Sequence, residues 1–239
     1  MENFESQKVS YWQKRALGHI REMRAAKLAG LFPKSEGWRN VVEHELVEFE
    51  AFDVLADAVG LSENEKRKGA TAALLHDVYK RKEREAFNLR GAEGAKEADL
   101  EQAEFIRSLG YEDDIAELTE LAGGYSLVHF LEDPKAEILT LKKDIPLTDL
   151  IMHYVDDITL GSEIVSLKGR VAYVKERYKV EDEAGREMFD GRLPSDVQYV
   201  VSRQIEERLA QIIEIEEPNT IPSWIKGKIE ERIKEYKKP

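Results

Sequence analysis

Residues 62–81 read Ser62-Glu63-Asn64-Glu65-Lys66-Arg67-Lys68-Gly69-Ala70-Thr71-Ala72-Ala73-Leu74-Leu75-His76-Asp77-Val78-Tyr79-Lys80-Arg81. Ser62 followed by Glu65 three positions later is a capping box, so a helix is predicted from Ser62 to about Arg81. Its small apolar run, Ala72 to Leu75, leads straight into His76-Asp77. Burying such a pair costs several kcal/mol unless something charged compensates, on the order of the ~2–7 kcal/mol paid for an unpaired polar group. Adjacent helix positions point about 100° apart, so both side chains reach one ion only if it lies over the helix edge between them. An ion held there needs ligands from other helices.

Working outward, the same 3.6-residue periodicity dominates, and no alternating strand pattern stands out. Upstream, helices are predicted over Tyr11–Leu31, closed by Gly30 and Pro33, and over Trp38–Val59, closed by Gly60. Downstream, Glu83–Gly94 carries Asn88, Gly91 and Gly94 and reads as a loop, a candidate for a mobile or substrate-facing segment. Further helices are expected at Ala95–Leu109, Glu112–Ala122, Pro134–Lys142, Leu167–Tyr178 and Ser195–Glu217. Pro146 opens another, with Leu147, Leu150, Ile151, Tyr154 and Ile158 on one face. The last segment sets Ile225, Ile229, Ile233 and Tyr236 opposite Lys226, Lys228, Arg232 and Lys234, the pattern of a docked terminal helix. With no internal repeat and no Pro/Gly/Ser linker, the expectation is one all-α domain over residues 1–239. Its core spans about 38–178, with an N-terminal helix (9–32) and C-terminal helices (195–238) packed on it.

The 239 residues carry 36 Lys and Arg against 48 Asp and Glu, a net charge of −12. That balance argues against wrapping duplex nucleic acid, which needs many phosphates neutralised. No stretch reaches the roughly 20 apolar residues of a membrane span, and no leader pattern opens the chain, so a cytoplasmic location is expected. With no Cys, any metal must be held by His and carboxylates. Zinc-protease, P-loop and Gly-x-Ser-x-Gly patterns are absent.

Five histidines are present: His19, His44, His76, His129 and His153. His44 lies mid-helix with Glu48 one turn later on the same face, as a ligand or as a histidine paired with that glutamate. Asp156 or Asp157 offers a further ligand from the Pro146 helix. Four such ligands leave positions open on a six-coordinate ion. His129 and His153 read as packing or surface residues, and His19 as a boundary residue.

The order His44, then His76-Asp77, then Tyr154-Val155-Asp156 resembles the H…HD…D signature of the HD-domain superfamily of metal-dependent phosphohydrolases. The resemblance covers roughly Trp38 to Tyr178, including the apolar lead-in to the pair and the segment Val165-Ser166-Leu167 through Arg170 and Arg177-Tyr178 after the last Asp. It implies a helical bundle in which His44, His76, Asp77 and Asp156 bind one divalent ion (Mn, Fe, Co, Ni, Zn or Mg), Asp156 matching the family's Tyr-Ala-Asp better than Asp157. Tyr79 stands where the family has Gly, narrowing the pocket entrance, while Lys80 keeps the family's Lys. The implied activity is hydrolysis of a phosphate ester or anhydride of a nucleotide or other small phosphorylated metabolite. Asp77 would orient the water and Lys80, Arg81 and Arg84 would neutralise phosphate charge. The alternatives are a non-catalytic nucleotide- or metal-binding regulatory protein of the same fold and redox chemistry at two irons. The terminal amphipathic helix is a candidate homodimer surface.

Overall fold

The computed structural model describes residues 4–19, 21, 22, 25, 39–122 and 126–236. The helices are α1 (Phe4–Gly18), α2 (Arg39–Val59), α3 (Glu63–Ala73), α4 (Lys80–Ser108), α5 (Asp113–Thr119), α6 (Leu127–Phe130) and α7 (Leu147–Asp157). After the hairpin β1 (Thr159–Leu160) and β2 (Glu163–Ile164) come α8 (Leu167–Arg177), α9 (Lys179–Ala184), α10 (Pro194–Ile212) and α11 (Ile221–Glu235). The hairpin pairs Thr159 with Ile164 and Leu160 with Glu163, antiparallel, and is the whole of the sheet structure among the described residues. The fold is therefore all-α, as the periodicity predicts.

α2 lies at the centre, packed on α3, α7 and α11, while α10 packs on α7 and α8. Phe52 and Leu55 of α2, Leu150 and Tyr154 of α7, and Val201 and Leu209 of α10 are all buried. Ile225, Ile229 and Ile233 form the buried stripe of α11, each contributing roughly 1.5–3 kcal/mol by leaving water. α11 contacts α1 as well as α2. Among the described residues no helix is long and apolar enough to cross a membrane.

Four sequence expectations are corrected. The Ser62 helix starts with the expected reciprocal cap, Glu65 N–H to Ser62 Oγ at 3.3 Å and Ser62 N–H to Glu65 Oε2 at 2.9 Å, but it ends at Ala73. Residues 74–79 turn tightly, with Leu75 N–H bonded to Ala72 O and Val78 N–H to Leu75 O, so His76-Asp77 lies between two helices rather than within one. Secondly, 83–94 is not a loop. The helix continues to Gly91, where φ is 66° and ψ −149°, and then resumes. Gly94 lies where a Cβ would approach Ala86 O to 2.4 Å, so these glycines mark a tight helical hairpin. Thirdly, Pro134–Lys142 is irregular. Ile138 is exposed and Leu139 buried, the period of two that suits the isolated bridge between Leu131 and Leu141. Fourthly, the helix expected to reach Glu217 stops at Ile212, with Glu214 at φ 59° just beyond. The expected helix over 11–31 lies partly outside the described residues.

Candidate metal centre

His44 and Glu48 sit one turn apart on α2 and face the same way, toward the turn that carries His76 and Asp77. His44 Nε2 is 2.8 Å from Glu48 Oε1, 3.6 Å from Asp156 Oδ1 and 3.9 Å from Asp77 Oδ2. His76 Nε2 is 3.2 Å from Glu48 Oε2 and 3.7 Å from Asp77 Oδ1. One ligand atom each from His44, Glu48, His76 and Asp156 lies within 4.8 Å of all the others. All four residues are buried.

The histidine tautomers follow from the other ring nitrogen. His76 Nδ1 is 2.9 Å from Ala73 O, and His44 Nδ1 is 3.2 Å from Gly161 O in the β1–β2 turn. A carbonyl only accepts, so each Nδ1 carries its hydrogen, and in the neutral ring Nε2 presents a lone pair to the cluster. His76 Nε2 and both Glu48 oxygens are buried without a hydrogen-bond partner. These ligand atoms crowd together in a buried space with hydrogen-bonding capacity left over, which a shared cation would satisfy. Bonds of about 2.1 Å from a common cation would set neighbouring ligands roughly 3 Å apart, close to the separations observed. The residues present therefore fit a divalent ion.

Charge is concentrated here. Burial opposes ionisation of His44 and His76, but Glu48, Asp77 and Asp156 outweigh it, holding both imidazoles above their ordinary range, His44 well above. Asp156 is likewise buried, and His44, Arg170 and His76 nevertheless hold it well below the usual carboxylate range. Burial raises Glu48, and burial together with Asp77 raises Glu45 further. Asp77, despite burial, is lowered by Lys80 and the two histidines.

Asp156 and Asp157 are both buried, and successive helix positions send them apart. Asp156 faces the cluster, its Oδ1 3.2 Å from Arg170 Nη2 and its carbonyl 3.3 Å from Arg170 Nε. Asp157 faces α10, accepting from Gln198 and Ser202, with His153 Nε2 at 3.2 Å. His153 is buried against Phe130, and His129 lies at the surface beside Asp149.

A cavity of about 420 Å³ opens from the cluster. Lys80, Arg84 and Phe87 line it from α4, and Arg170, Tyr173 and Arg177 from α8. Lys80 Nζ is 3.5 Å from Asp77 Oδ1 and 3.2 Å from Glu83 Oε2. Arg81 does not line the cavity. It pairs with Glu85 at the surface, because one position along a helix turns it by about 100°. Tyr79 forms wall rather than plug: its ring is buried 5.2 Å from Phe105, with Lys82 over it.

Two site residues escaped the reading of the chain as ligand and clamp. Glu48 is weighed there as a partner of His44, although its spacing places it beside the same ion. Arg170 falls in the segment that carries the resemblance, but nothing local pairs it with Asp156, because fourteen residues and a hairpin separate the two. Comparison with protein-family models, with curated proteins and with solved structures returned no match.

Proposed function

We propose that this chain is a metal-dependent phosphohydrolase of the HD type acting on a small phosphorylated metabolite, a nucleotide being the leading class. The observation that carries the reading is the pair of histidines whose Nδ1 hydrogens are committed to backbone carbonyls while their Nε2 atoms meet Glu48 and Asp156 beside a cavity that Lys80, Arg84, Arg170 and Arg177 line together with carboxylates. His44, Glu48, His76 and Asp156 would hold one divalent ion. When bound, that ion supplies Lewis acidity toward a phosphoryl oxygen and lowers the pKa of a coordinated water.

The chain's own groups complete the chemistry. Asp77 stands next to the four-atom cluster and is kept ionised by Lys80, so its carboxylate accepts a hydrogen bond from a water and orients it. Lys80 and Arg170 bring positive charge to the same end of the cavity, where a phosphoryl group gains negative charge. The volume, about 420 Å³, is in the range of small-molecule sites.

The test is elemental analysis of the purified protein followed by a phosphate-release screen with Mn, Co, Ni and Mg added back. One metal per chain with metal-dependent release is expected, and Asp77→Ala should lower turnover by at least about a hundredfold. Full activity in that variant would overturn the reading. Ligand-dependent thermal stabilisation without release would point instead to a regulatory binding protein, and two bound irons to redox chemistry.

A further inference from the structure

The four cations of the cavity differ in how they are used. At the metal end Lys80 is engaged with Asp77 and Glu83, and Arg170 with Asp156. Further out, Arg84 on α4 and Arg177 on α8 form no ion pair or hydrogen bond with any described residue. Each stands one helical turn from an aromatic residue on its own wall, Phe87 for Arg84 and Tyr173 for Arg177, and both aromatics line the same cavity. Of the carboxylates that line the cavity outside the metal cluster, Glu83 pairs with Lys80 and Asp182 with Ser195, and neither these nor Glu120 and Glu181 pair with either arginine.

A guanidinium with five donors and no carboxylate is a ready partner for phosphate. Along the helices, Arg84 lies four residues from Lys80 and Arg177 seven from Arg170, rises of roughly 6 and 10 Å. An anion held between the outer arginines would therefore sit roughly one to two helical turns from the metal end. We propose that Arg84 and Arg177 form an outer anion subsite that takes a second phosphate on the same small molecule, with Phe87 and Tyr173 against its apolar or planar middle. This rests on the phosphohydrolase reading of the site and narrows the substrate class to bisphosphorylated metabolites.

The experiment is calorimetric titration of the Mn-supplemented protein with two matched probe pairs. They are adenosine 5′-monophosphate against adenosine 3′,5′-bisphosphate, and fructose 6-phosphate against fructose 1,6-bisphosphate. At least one bisphosphate should bind about tenfold or more tighter than its monophosphate, the scale of one charge-assisted contact at a partly exposed site. That advantage should vanish in the double variant Arg84→Gln/Arg177→Gln and persist in Arg81→Gln, which removes a cation outside the cavity. Both outer arginines are exposed and unpaired, so the variants should melt like the parent. Equal binding within both pairs, or an advantage surviving in the double variant, overturns the subsite while monophosphate binding leaves the parent reading standing. Failure of every probe on Mn-bound protein overturns the subsite, and failure together with absence of Mn binding overturns both.

Discussion

Glu48 is a carboxylate buried on α2 between the imidazoles of His44, 2.8 Å away, and His76, 3.2 Å away. Those imidazoles are its counter-charges until a cation arrives, so Glu48→Gln should lower metal affinity more than tenfold and also lower metal-free stability by roughly 3 kcal/mol, read by titration and by melting. The histidines give the site a pH signature. Because His44 and His76 are raised above the ordinary imidazole value of about 6.5, their stabilising charge is complete below that pH and is lost as pH rises through the higher folded values. Asp77 and Asp156, lowered, act in the other direction, stabilising above their ordinary range and failing only in acid. Metal must displace the histidine protons, so its affinity grows with pH. As pH rises above about 6.5 the chelated protein should therefore lose thermal stability while the metal-saturated protein holds or gains it. Parallel slopes would mean that the imidazoles are not the ligands.

At the level of elements, the site is made where helices stop. The turn between α3 and α4 takes His76-Asp77 out of helical register and frees Ala73 O for the His76 ring. The β1–β2 turn, with Gly161 at φ 59°, supplies the carbonyl that orients His44. The hairpin within α4 folds Phe87 and Ala95 onto the same cavity, and it depends on contact between Gly94 and the Ala86 carbonyl. Gly94→Ala should force that hairpin apart and destabilise the protein by about 1–3 kcal/mol in denaturant melts. The sequence makes the glycines visible but not their meaning: Asn88, Gly91 and Gly94 look like loop composition, and only a helix partner at close range makes Gly94 a packing residue.

Across the whole molecule, the terminal helices are tied to α2 on the side away from the metal cluster. Arg232 of α11 reaches Glu50 at 2.9 Å, Asp53 at 2.6 Å and Asp57 at 3.0 Å, and Arg15 of α1 pairs with the same buried Glu50. Arg232→Ala leaves Glu50 half-compensated in the interior and should cost roughly 3 kcal/mol while changing metal affinity less than threefold, measured by denaturation and titration. An equal loss of metal affinity would mean that α2 transmits strain from one side to the other. What the sequence by itself determined is the helical class, the Ser62 cap, the α7 and α11 apolar faces and the order of His44, His76, Asp77 and Asp156, because periodicity and caps are local physics written in consecutive residues. Only the tertiary structure decided that Asp156 and not Asp157 faces the cluster, that Glu48 joins it, that Arg81 leaves the cavity, and that Arg170 clamps Asp156. Those choices depend on the rotation of one helix against another, an angle set by packing among residues far apart in the chain.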